Sequence, residues 1–163
     1  GVLMHNSRRT ILSHTVLLFM LAGMVSCSGE DCPINNTVVG KMQFYNQLDD
    51  AVAINGTLSV NVVRPQGDSV ILTQLYNAST ISFPLSYTQL TDTLIFDYNR
   101  GAAYDTLYIS HTNTPTLVSI ECGTAMFHTI TAAHSTHHVI DTLIIKSPKV
   151  DYDERENIQV IYR

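Results

Sequence analysis

The chain has 163 residues, a length suited to one domain and short for two. Its 45 % apolar content can build a real core, which excludes a disordered chain. Nine Lys and Arg against 14 Asp and Glu give a formal charge of −5, and the few basic residues are scattered. That excludes the clustered positive charge a nucleic-acid partner requires.

Arg8 and Arg9 precede an apolar run at residues 11–25 that only Ser13, His14 and Thr15 interrupt. Basic residues, then an apolar stretch, then small residues follow the order of a secretory signal peptide, here residues 1–26. The uninterrupted part, residues 16–25, makes roughly 15 Å of helix against roughly 30 Å of bilayer hydrocarbon, too short for a permanent span. Met24-Val25-Ser26-Cys27 resembles a bacterial lipobox, with Met where Leu is usual. The resemblance implies diacylglyceryl transfer to the Cys27 thiol, cleavage before Cys27 and acylation of the new amino terminus. Residues 27–36 are then a lipidated tether. Ser28-Gly29-Glu30-Asp31 is similar to the acidic stretch that follows the lipid cysteine in surface-exported Bacteroidetes lipoproteins. Losing Arg8 and Arg9 takes the charge to −7, so the lipid would tether an acidic body that an anionic leaflet holds off. The expected location is the outer membrane, on its periplasmic or cell-surface side.

With Cys27 acylated, Cys32 and Cys122 remain, and an even pair in an oxidising compartment suggests a disulfide. It would close a loop of about 90 residues, worth about 4.5 kcal/mol in the chain-entropy picture. The rival is a Cys122–His128 nucleophile pair, which needs an activated thiolate and an oriented base that no local signature provides.

Residues 37–163 read as one all-β domain. In chain order, the strand candidates are 38–45, 57–63, 69–75, 79–85, 93–98, 104–109, 116–121, 142–145 and 158–162. Leu143 and Ile145 alternate with Thr142 and Ile144, apolar on both faces, which predicts a central strand. Asn55-Gly56 reads as a hairpin turn between residues 51–54 and 57–63, and Pro65, Pro84, Gly101, Pro115 and Pro148 read as breakers. Residues 122–134 read as a short helix or a bulged strand, because Gly123, Thr124 and Ala125 break the alternation. About eight or nine short strands predict an antiparallel β-sandwich with Greek-key, immunoglobulin-like connections. A partly closed β-barrel is the alternative.

Four strands open alike: Asp68-Ser69-Val70, Asp92-Thr93-Leu94, Asp105-Thr106-Leu107 and Asp141-Thr142-Leu143. In one reading the Asp closes the preceding turn and the Thr starts the pleat beside an inward aliphatic residue. In the other, Asp, then Ser or Thr, then an aliphatic residue resembles the O-glycosylation sequon of secreted Bacteroidetes proteins. That resemblance implies glycans on Ser69, Thr93, Thr106 or Thr142.

His134, His137 and His138 have spacing suggestive of a metal site, but adjacent residues of a strand face opposite ways, so a polar rim is the expectation. Asp151-Tyr152-Asp153-Glu154-Arg155-Glu156 gathers carboxylates but lacks the glycine an EF-hand loop needs, and is expected to be a solvated turn. No GxSxG, P-loop or GxGxxG occurs. The expectation is no catalytic residue, no metal and no cofactor.

Cys27, Glu30-Asp31-Cys32-Pro33, the stretch from Cys122 to His128 and Asp151 to Ile158 together resemble the small uncharacterised lipoproteins of Bacteroidetes. The resemblance implies a lipid-anchored envelope protein without supplying an activity. The expected role is a non-catalytic binding or scaffold module whose partners are the membrane and an envelope glycan or protein. Residues 134–138 and 151–156 are the expected contact loops. With no Trp, sugar stacking would fall to Tyr76, Tyr87, Tyr98, Tyr104 and Tyr108. Two alternatives are a structural subunit that donates residues 158–162 to a neighbour's sheet and a metal-dependent hydrolase.

Overall fold

The alternating segments become ten strands: β1 (Val39–Tyr45), β2 (Thr57–Val63), β3 (Ser69–Tyr76), β4 (Thr80–Pro84), β5 (Thr91–Tyr98), β6 (Ala103–Ser119), β7 (Gly123–Ser135), β8 (Ile140–Ile145), β9 (Lys149–Val150) and β10 (Ile158–Tyr162). The computed structural model describes Cys32, residues 37–67 and residues 69–163. The signal peptide, Cys27, most of the tether and Asp68 lie outside the described residues. Cys32–Arg163 forms one compact unit.

Two sheets are present, β4-β1-β10-β8 and β3-β2-β5-β6-β7-β9, and one is curled into a half-barrel. The all-β sandwich expected from the alternation is what the chain builds. Leu58, Val60 and Val62 of β2, Leu94 and Phe96 of β5, and Leu107 and Ile109 of β6 are buried on one inner face. Met42 and Phe44 of β1, Phe83 of β4, and Ile158 and Val160 of β10 meet them from the other. Rings stitch the layers edge to face. Phe44 lies 6.4 Å from Phe96 and 5.4 Å from Tyr162, and Tyr162 lies 6.0 Å from Tyr98. Such pairs contribute about 0.5–1.5 kcal/mol each beyond the area they bury.

Several local expectations are corrected. The sheets are not wholly antiparallel, because β1 pairs with β10 in parallel, Phe44 opposite Val160. Parallel pairing demands a long connection, and the whole domain lies between these two strands. β8 is an edge strand rather than a central one. Its second apolar face is Ile144, which is partly exposed, while Leu143 and Ile145 pack on the core. Asn55-Gly56 is not a hairpin turn. Residues 51–54 form no strand: Ala51 bridges to Tyr45, the Val52 and Ile54 N–H groups donate to the Phe44 and Ala78 carbonyls, and Gly56 (φ 104°) carries the chain from one sheet to the other. Of the two readings of residues 122–134, the bulged strand is the one that holds: Cys122 lies in the turn, residues 123–134 belong to β7, and the irregularity is absorbed by register shifts in the β6–β7 pairing.

Pro115 does not break a strand either. The 104–109 and 116–121 candidates fuse into the 17-residue β6, and Pro115 sits opposite Met126 of β7. β5 accompanies β6 only as far as Ser110, so beyond it one edge of β6 makes no ladder and a missing N–H costs little. The β6–β7 hairpin thus extends past the end of β5. Near its tip Cys122 is joined to Cys32, with 5.3 Å between Cα atoms, closing a loop of 90 residues.

Gly40 of β1 lies opposite Phe83 of β4, and the Phe83 ring covers the place a Cβ would take. Because Phe83 is fully buried and has nowhere to go, Gly40→Ala is expected to destabilise the domain by about 1–3 kcal/mol, read from the urea midpoint.

Candidate functional site

Period two places residues i and i+2 on one face, so an Asp two before an inward Leu points inward as well. Asp92 and Asp105 are both fully buried, on the inner faces of β5 and β6 with Leu94 and Leu107. Each organises a loop. The motif is plain in the sequence, and the alternation that turns its Leu inward is also the signal for the burial of its carboxylates.

Asp92 lies where β5 begins. Its Oδ2 accepts the Ser86 N–H at 2.8 Å and the His111 Nε2–H at 2.9 Å, while Oδ1 pairs with Arg64 Nη1. The loop before β5 is therefore closed by its own Asp. Burial and the Arg64 cation hold His111 below its ordinary pKa, so the imidazole is neutral and donates to the carboxylate. The His111 and His128 rings meet edge to face at 5.2 Å. His128 Nδ1–H donates to Asn113 Oδ1 at 2.7 Å, and Asn113 Nδ2 donates to the Tyr87 and Gln89 carbonyls. Tyr87 stacks on His128 at 5.9 Å. Burial first, and neighbouring His111 second, push His128 down to about 4. This cluster resembles an acid–base relay in composition, yet Asp92, His111 and His128 are all buried. The thiol of the Cys122–His128 pair weighed above is committed to the disulfide.

Asp105 caps a turn more than thirty residues away. Its carboxylate accepts the N–H groups of His138, Val139 and Ile140 at 2.7, 2.9 and 3.0 Å and the Thr136 hydroxyl at 2.8 Å. Burial pushes its pKa up, but these donors outweigh burial and hold it below the ordinary carboxylate value. The turn carrying His137 and His138 is thus fixed from beneath.

Beside that turn lies a cleft of about 300 Å³, lined by Val52, Ile54, Tyr98, Ala102, Val139 and Tyr162 among others. The Tyr162 hydroxyl donates to that of Tyr98 at 3.3 Å, tying together two of the lining residues. A cleft of this size with a mostly apolar lining suits a small ligand or an inserted side chain.

The remaining expected contact groups sit apart. His134, His137 and His138 are exposed, His137 Nδ1 donating to the Asp141 carbonyl at 2.8 Å. Among the described residues no three His, Cys, Asp or Glu side chains form a group able to hold a metal ion. In the 151–156 turn Arg155 bridges Asp151 (3.1 Å) and Asp153 (2.6 Å), Lys41 pairs with Glu154, and Tyr45 donates to Glu156. Asn157 ties the turn down: its side chain accepts from Lys41 N and donates to the Ser147 and Lys149 carbonyls. Tyr76, Tyr87, Tyr104 and Tyr108 are exposed as expected of stacking residues, but Tyr98 is buried. Ser69 and Thr142 are exposed and Thr93 and Thr106 half-buried, all on strands. Val70 departs from the motif by facing outward, 61 % exposed, on edge strand β3.

The profile of a family of unknown function, DUF6452, matches residues 57–162, and the chain belongs to that family. No curated protein and no solved structure matches it.

Two outcomes are expected from this geometry. Asp105→Asn would turn an amide N–H₂ toward backbone donors, costing about 3 kcal/mol and speeding hydrogen exchange at residues 138–140, whereas His138→Ala would cost little. Neutral, buried His128 makes stability pH-dependent. Above about 6.5 both states are uncharged; as pH falls from about 6.5 to about 4 the unfolded chain binds a proton the fold refuses, so stability declines across that window. Urea midpoints at pH 7 and 4.5 should show the decline, and His128→Gln should lessen it, with His111, also held below its ordinary pKa, supplying the remainder.

Proposed function

We propose, from the lipobox-like stretch ending at Cys27 and the buried state of the acid–base groups, that the protein is a lipid-anchored module of the cell envelope that binds a partner without catalysis. The observation that carries the reading is the disposition of β6. One end of this long strand runs to the hairpin tip that the Cys32–Cys122 disulfide ties to the start of the domain, and the other begins at the cleft beside Tyr98. Cys32 lies five residues after Cys27. A lipid on Cys27 would therefore hold the tip near the membrane and present the cleft away from it, at the other end of roughly 50 Å of strand. The acid–base groups offer the reading further support, because Asp92 and Asp105 are spent on loops and ion pairs inside the protein. The cleft is the contact surface for an envelope glycan or protein.

Assembly by donation of residues 158–162 has less support. β10 is paired on both edges within its own sheet, so it is not free to complete another.

Intact mass of the protein extracted from membranes tests the anchor: a 137-residue chain beginning at Cys27 and carrying acyl groups is expected, and Cys27→Ala should abolish both cleavage and acylation. A product cut elsewhere and free of lipid would overturn it. A photo-crosslinking residue at Ala102, on the cleft, should trap an envelope component in intact cells, while one at Thr73 of β3 should not. Equal trapping at both positions, or none, would overturn the cleft as the contact.

A further inference from the structure

Exposed apolar side chains occur at several places on the surface, but two stand at the tip of the β6–β7 hairpin. Leu117 is 66 % exposed and Ile120 is 90 % exposed. Two residues after Ile120, Cys122 is bonded to Cys32, and Cys32 follows Cys27 by five residues. Five extended residues reach at most roughly 17 Å. The tip contains no Lys or Arg, and its one charge, Glu121, is exposed. The hairpin also extends past the end of β5, since β6 beyond Ser110 pairs only with β7.

We infer that the β6–β7 tip is a membrane-docking element: Leu117 and Ile120 enter the lipid interface next to the acyl anchor and set the domain's orientation. The occupant of this apolar patch is the lipid surface, because a short tether and a disulfide keep the patch within reach of it. Burying two aliphatic side chains in the acyl boundary is favourable, and a second attachment point converts a free tether into a fixed pose. Glu121 stays outside the hydrocarbon and keeps insertion shallow. The inference rests on the lipid-anchor reading above and goes beyond it.

The chain has no Trp, so a single introduced indole reports its own surroundings. The experiment uses acylated protein in vesicles of phosphatidylethanolamine and phosphatidylglycerol, with and without brominated phosphatidylcholine. Ile120→Trp should show blue-shifted emission that the bromolipid quenches. Tyr104→Trp, near the other end of β6, should emit as in water and resist quenching. Leu117→Trp should behave like Ile120→Trp and guards against one substitution disturbing the tip. An Ile120→Trp emission that stays water-like, in protein whose acyl mass and vesicle association are intact, would overturn the docking tip and leave the anchor standing. Blue-shifted but unquenched emission would mean that a second copy or another protein covers the tip, and would also overturn it. Protein without acyl mass would remove both the anchor and the tip's route to the bilayer.

Discussion

A carboxylate withdrawn from water loses several kcal/mol of hydration, and only opposite charge or well-aimed donors can offset that loss. Asp92 and Asp105 both accept this constraint, on neighbouring strands and facing the same interior. Asp92 meets it with a cation, an imidazole and a backbone N–H; Asp105 meets it with three successive backbone N–H groups and a hydroxyl. The loops that supply these donors have little freedom left. The segment before β5 and the turn before β8 are consequently held against the core rather than left as mobile ends.

The same economy explains why the most chemically suggestive residues are not the most available ones. His111 and His128 lie side by side, linked through to a carboxylate, yet burial keeps both rings neutral and Tyr87 stacks over His128. What faces solvent is of another kind: a cleft beside the Tyr98–Tyr162 pair, and an apolar hairpin tip. The aromatic chain of Phe44, Phe96, Tyr98 and Tyr162 connects core to cleft.

Much of the fold was legible from alternation, because a half-buried strand leaves a period-two trace whenever one face is dry. β2, β5 and the first half of β6 were readable on this basis, residue by residue. Where legibility failed, pairing partners were responsible. Nothing local distinguishes an apolar edge strand such as β8 from a central one, since edge position depends on which strand arrives beside it. Pro115 reads as a breaker until it is seen that one edge of β6 has no ladder there. Of the candidate sites, the Cys32–Cys122 pairing followed from counting cysteines, whereas the cleft joins the ends of β5, β6 and β10, the turn before β8 and the β1–β2 connection, which no spacing rule brings together.

By itself, then, the sequence determined the all-β character and the inward and outward faces of its clearest strands, because each is a property of composition or of neighbours along the chain. Only the tertiary structure decided that β1 and β10 lie parallel, that two motif aspartates are sealed inside while Val70 points out, and that the hairpin tip and the cleft occupy opposite ends of β6. Those facts depend on contacts between residues far apart in the chain, where the free energy of a pairing belongs to both partners and is written in neither alone.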